Sequence, residues 1–120
     1  AAMRSLKSSG WLHPALRSLT AEFLCGILHQ PSEHGIVWFA EQQTDFDPAL
    51  NVGNWQTAAR NARRRSIDII QTARRLDPDG TFVRRHIPEL AHLPVNLVHT
   101  PWLASSEIDA HGYPPPVVAA

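Results

Sequence analysis

The chain predicts an all-α fold, and three observations carry that prediction. Apolar residues recur at helical spacing over several stretches, as in Leu16, Leu19, Phe23, Leu24, Ile27 and Leu28. Prolines, capping residues and glycines fall where such stretches begin and end. Alternation of apolar and polar residues, the mark of a half-buried strand, appears nowhere at useful length.

Ala1 to Leu6 reads as the end of a helix, closed by Ser8-Ser9-Gly10, where glycine suits the position just past the last turn. A second helix fits Pro14 to Leu28, with proline in the first turn. Ser32 is expected to cap a third, with Ile36, Phe39 and Ala40 on one face and Trp38 beside it. Asp47-Pro48 opens a fourth, which runs through Trp55 towards Ala62. Ser66 is expected to cap a fifth, with Ile67, Ile70 and Ala73 inward. That helix ends at Asp77-Pro78-Asp79-Gly80, where proline fixes φ, aspartate oxygens bond nearby N–H groups and glycine tolerates positive φ. Thr81 is expected to cap a short sixth helix, which Pro88 limits. Beyond Leu90 the chain breaks into pieces at Pro94, Pro101 and Pro114-Pro115-Pro116. This end reads as chain laid across a surface, with a polyproline recognition segment as the alternative.

At 120 residues and 43% hydrophobic content, one globular domain with a modest core is expected. No stretch is apolar enough for a membrane span, and none reads as a signal peptide. The single Cys25 excludes an internal disulfide and suits a reducing compartment, so the cytoplasm is the expected location. The formal net charge of zero hides segregation. Residues 18–59 hold Glu22, Glu33, Glu41, Asp45 and Asp47 and no lysine or arginine. Residues 60–85 hold eight arginines, including Arg60, Arg63, Arg64 and Arg65, against Asp68, Asp77 and Asp79. Such a strip could face a polyanion such as DNA; solvated helix faces are the alternative.

Seven histidines raise the possibility of a metal site, but their spacing does not support one. His29 and His34 are five apart and His86 and His92 six apart, so neither pair shares a helix face, and no HExxH or cysteine pair accompanies them. No metal is expected. Cys25 sits in an apolar stripe and reads as core rather than nucleophile.

The stretch TDFDPALNVGNW, Thr44 to Trp55, carries more information. If a helix begins at Pro48, Asn51 and Trp55 lie one turn apart on one face. Arg17, among leucines, needs an anion, and Asp45 and Asp47 are the candidates. The alternative is that Asp47 only caps and Asn51 faces water.

AAMRSLKSSGWLHPALRSL, DFDPALNVGNWQ, DPDGTFVRRHIPEL and HTPW followed by GYPPPVV occur in the order found in the photolyase/cryptochrome flavoproteins. From Ala1 to about Val118 the chain resembles the carboxy-terminal helices of their FAD-binding domain, roughly the last quarter of a usual member. The resemblance implies a single partial domain over residues 1–120, built as a helical bundle. It also implies FAD as cofactor, with Arg17 near the isoalloxazine ring and paired with Asp45. Asp47 would be the second acid of the flavin-contacting D-x-D, Asn51 the asparagine beside flavin N5, and Trp55 the tryptophan that passes electrons to the flavin, the one catalytic role assigned.

Where the family usually reads H-N-R-x-R-M, this chain has His13-Pro14-Ala15-Leu16-Arg17-Ser18. Its lesion-facing positions thus become Pro14, Ala15 and Ser18, and the stacking aromatic after Trp55 becomes Thr57. The middle tryptophan of the usual electron chain falls near Ser32. A flipped base must be held and stacked, so ordinary dimer repair by this chain alone is not expected. The resemblance therefore implies a flavoprotein fragment with photolyase-type chemistry only if a missing segment or partner completes it. The alternative is a stand-alone, non-enzymatic helical binding module that has lost FAD and lesion binding. A homodimer is expected, because a half-cradle leaves apolar surface to cover.

Overall fold

A computed structural model describes residues 1–64, 68–104 and 112–118. Its elements are helical, and no strand occurs among the described residues. They are α1 Ala2–Ser9, α2 Pro14–Glu22, α3 Ser32–Gln42, α4 Pro48–Arg64, α5 Ile69–Leu76 and α6 Thr81–His86, with a π-helical turn over Phe23–Ile27 and 3₁₀ turns at Pro88–Leu90 and Pro101–Leu103. Two compact units result, Ala2–Ile67 and Asp68–Ala120 with Ala1.

In the first unit, α1 ends where Gly10 takes φ 74° and donates its N–H to Leu6 O at 2.8 Å. Its carbonyl then accepts from Thr44 N at 2.8 Å, tying the end of α1 to the segment after α3. Pro14 opens α2, and the preceding His13 caps it: Nδ1 accepts from Ala15 N at 3.1 Å. The helix expected to continue to Leu28 instead widens into the π turn, where Leu28 N bonds Phe23 O at 3.0 Å. Gly26 lies in this turn, directly against Ala62 of α4. The stripe expected to face a core is half-buried, and Ala21 is the residue α2 buries fully.

Ser32 does not cap α3. Pro31 occupies the cap position without a side-chain bond, and Ser32 is the first helical residue. Of the three residues expected on the inner face, Phe39 is buried, while Ile36 and Ala40 are half-buried. Asp47 caps α4 as expected, with Oδ1 accepting from Leu50 N at 3.0 Å. Asn51, Trp55, Ala58 and Ala59 form the buried stripe of α4, which packs against α2, α3 and the π turn.

In the second unit Asp68 caps α5, accepting from Gln71 N at 2.9 Å; Ser66 and Ile67 lie outside the described residues. The turn Asp77–Gly80 forms with Gly80 at φ 70°. Thr81 is the first residue of α6 rather than its cap. The carboxylate of Asp77 takes that role, accepting from Phe82 N and Val83 N, both at 3.1 Å. His99 Nε2 donates to Asp77 O at 2.7 Å, and Val98 packs on Gly80. The stretch from Asp77 to Leu90 is thus a scaffold. Arg84 donates to Asp79 O and Leu93 O, and α6 stops before Pro88 so that Ile87, Leu90 and Leu93 form a core with Val83, Ala104, Tyr113 and Ala1 around it.

Candidate functional site

The site lies in the first unit, in a cavity of about 370 Å³ between α2, the end of α3 and α4. Helical spacing brings its α4 wall together: Asn51 and Trp55 stand one turn apart, and Ala58 follows on the same face. Phe39 and Ala21 complete an apolar floor with Trp55 and Ala58.

Arg17 reaches into this cavity from α2. Its Nε donates to Leu12 O at 2.5 Å, which orients the guanidinium, and Nη2 lies 3.2 and 3.0 Å from the two oxygens of Asp45. The expected pairing is therefore present, with Asp45 as the partner. Asp47 lines the same cavity and caps α4. Asn51 is buried, not turned to water: its Nδ2 donates to Ile36 O at 3.0 Å, linking α4 to α3. Among the described residues its Oδ1 has no protein donor. The Trp55 indole is 3% exposed and meets Phe39 edge-on at 4.9 Å. It lies on Gly35, where any Cβ would overlap its six-membered ring.

Pro14, Ser18 and Thr57 line the cavity as well, whereas Ala15 does not. Gln43, Asn54 and Asn61 belong to the lining too and were not singled out from the sequence. Asn54 and Asn61 continue the helical spacing from Asn51, so a longer count along α4 would have found them. Arg60, Arg63 and Arg64 are exposed towards the end of α4, and Arg65 lies outside the described residues. Cys25 is half-buried in the π turn, where burial pushes its thiol pKa up; Arg63 opposes that rise and Glu33 adds to it. No helix among the described residues is long and apolar enough to cross a membrane.

Residues 1–120 match the family profile for the FAD binding domain of DNA photolyase. The chain is 41% identical over 113 residues to cryptochrome-1 of Drosophila melanogaster, covering 88% of this chain and 21% of that protein. It is 36% identical over 124 residues to the deoxyribodipyrimidine photo-lyase of Escherichia coli, covering 98% and 26%. Among solved structures, an archaeal photolyase from Sulfolobus tokodaii with two FAD molecules superposes with a TM-score of 0.86 at 30% identity, over 98% of this chain and 27% of that one. The chain thus spans about a quarter of the length of these relatives.

Proposed function

The chain belongs to the photolyase/cryptochrome family as part of its FAD-binding domain, and we propose that its cavity holds the isoalloxazine end of FAD. The observation that carries this reading is the convergence of the Arg17–Asp45 pair, the Asn51 amide and Trp55 on one cavity. A flavin ring is flat and apolar on its faces, with donors and acceptors along one edge. The cavity offers a matching set: an apolar floor of Phe39, Trp55 and Ala58, and polar groups at Arg17, Asp45 and Asn51. At about 370 Å³ it stands near the lower limit of ~300 Å³ for ligand sites, sized for one end of a dinucleotide. The residues fit the ring end of the cofactor.

When bound, the flavin supplies light-driven one-electron transfer. Arg17 and Asp45 would meet its polar edge, and Asn51 would present an amide held in place by Ile36 O. Trp55 contributes an oxidisable indole shielded from water. Pro14, Ser18 and Thr57 offer no aromatic face on which a flipped base could stack. Photolyase-type repair would therefore require the rest of such a domain, from a further segment or a partner, and this chain alone would not reverse pyrimidine dimers. The lone Cys25 supports a reducing, cytoplasmic setting.

Titration with FAD, riboflavin and ADP-ribose tests the reading. FAD and riboflavin are expected to bind with quenching of Trp55 fluorescence, and ADP-ribose is not. Absence of flavin binding, or binding through ADP-ribose alone, would overturn it. Light-dependent loss of dimers from an irradiated oligonucleotide would overturn the statement on repair.

A second reading is favoured by the exposed apolar side chains Phe46, Leu50 and Val52 at the start of α4, of which Leu50 lines the cavity. They support a helical interaction module in which a second copy covers this face, burial being worth roughly 25 cal/mol per Å². Sedimentation equilibrium checks it: a monomer mass near 13.4 kDa at all concentrations rules the dimer out. Binding of DNA through Arg60, Arg63, Arg64 and Arg65 is the weakest proposal, since no aromatics interleave with these arginines.

A further inference from the structure

His13 carries the first turn of α2. Pro14 brings no N–H, and Leu16 N and Arg17 N donate to His13 O at 2.9 and 3.1 Å. The Ala15 amide donates instead to Nδ1 of the His13 ring, at 3.1 Å. A ring nitrogen accepts only while it holds no proton, so this cap needs neutral His13 with its one ring proton on Nε2. The residue is exposed, so water reaches the imidazole, and Trp11 meets it edge-on at 6.3 Å.

Arg17 stands in the turn that this cap secures. It is placed by its backbone N–H on His13 O, by Nε on Leu12 O and by Nη2 on Asp45. Leu12 is buried, so the chain just before the cap is anchored. Thr44 donates to Gly10 O through N at 2.8 Å and through Oγ1 at 3.1 Å, which fixes the residue before Asp45. Residues 10–13 therefore frame both partners of the ion pair, and histidine is the side chain in that frame that ordinarily changes charge between about pH 5 and 8.

We propose that His13 is a positioning residue for Arg17 and works as a proton-operated latch, holding the Arg17–Asp45 pair when neutral and loosening it when protonated. A proton on Nδ1 turns the acceptor for Ala15 N–H into a second donor. It also sets a cation at the positive end of the helix dipole. The ring then leaves the cap, the first turn of α2 frays beyond the anchor at Leu12, and Arg17 gains motion. The capped form excludes the proton, so the latch closes as pH rises and opens as pH falls. Around this end of α2 the other ionisable groups are Arg17 itself, Asp45 and Asp47 before α4, and Arg4 and Lys7 on α1. Asp45 is engaged by Arg17 and Asp47 by Leu50 N, while Arg63 lies by Cys25 at the other end of the helix. Carboxylates, lysines and arginines ordinarily titrate outside the histidine range. What the latch does for flavin binding rests on the proposed function, but the latch itself is read on the chain without flavin, so either can fail alone.

Nuclear magnetic resonance of the full chain at about pH 8 and about pH 5, the two ends of the histidine range, tests the latch. The Ala15 amide reports the cap through its hydrogen-exchange protection, corrected for the intrinsic rate at each pH. The Arg17 Nε–H reports the pair through its proton–nitrogen Overhauser effect, with the peak identified by its loss in Arg17→Lys. On going to the lower pH, Ala15 protection is expected to fall about fivefold, the population change of a typical cap, and the Arg17 effect to drop. His13→Asn supplies a capping oxygen that does not titrate, and it is expected to keep both signals at their high-pH values throughout. His13→Ala is expected to show the low-pH values at both ends. Rescue by asparagine of what alanine loses separates capping from mere filling of space. Parent signals that ignore pH overturn the latch, and so does a pH response that survives in His13→Asn. An Arg17 that stays ordered while Ala15 protection falls overturns the link between the cap and the pair.

Discussion

Arg17 Nη2 bridges both carboxylate oxygens of Asp45, at 3.2 and 3.0 Å, while the same guanidinium is anchored through Nε to Leu12 O. The pair is half open to solvent, with side-chain exposures of 23% and 46%. An exposed ion pair contributes only ~0–1 kcal/mol to folding. Asp45→Asn is therefore expected to leave urea-unfolding stability within about 1 kcal/mol of the parent. Flavin affinity should respond more, falling about tenfold if roughly 1.4 kcal/mol of recognition is lost. Unfolding and flavin titration on the same samples separate the two effects.

Gly35 of α3 stands directly against the Trp55 indole of α4, so that a Cβ there would overlap the ring. Gly35→Ala would drive a methyl group into the indole ring, and overpacking of this kind costs ~1–3 kcal/mol. A lower unfolding midpoint together with a shifted Trp55 emission is the expected result. An unchanged midpoint would mean that α3 slides at little cost.

Two other glycines should respond in opposite directions. Gly53 is exposed within α4, and a Cβ there would meet nothing within 4 Å. Gly53→Ala is expected to stabilise the chain by about 0.5–1 kcal/mol, through the lower backbone entropy cost of alanine. Gly80 has φ 70°, and its Cβ would stand 2.5 Å from Val98 Cγ1. Gly80→Ala is expected to destabilise by more than about 1 kcal/mol. Denaturation midpoints of the two variants give the comparison directly.

Burial holds the Cys25 thiol protonated above its ordinary pKa, and the thiolate is the reactive form. Alkylation by iodoacetamide should therefore be slower than for a free thiol at neutral pH, and should rise with pH through a midpoint above the usual cysteine value. Glu33 pushes that pKa up and Arg63 pulls it down. Glu33→Gln should accordingly lower the midpoint of the pH–rate profile, and Arg63→Gln should raise it.

The helix starts at Pro14 and Pro48, the Asp77–Gly80 turn and the stop before Pro88 were legible in the sequence, because each depends on residues within one turn of each other. So was the demand of Arg17 for an aspartate, since a guanidinium among leucines needs a counter-charge. The caps assigned to Ser32 and Thr81 were misplaced for a reason that pattern reading does not reach. The α6 cap is supplied by Asp77, five and six residues before the N–H groups it accepts from, once the left-handed Gly80 turns the chain back. Other features rest on contacts between segments far apart in sequence. The π turn at Phe23–Ile27 lies where Gly26 abuts Ala62, Trp55 docks on Gly35, and Phe39 meets Trp55 edge-on. The sequence by itself determined the helical class of the chain, the starts of α2 and α4 and the Arg17, Asp45, Asp47, Asn51 and Trp55 groups of the site. Tertiary structure alone decided which rings touch and which side chains share one cavity, because close packing selects among arrangements that local preferences leave equal.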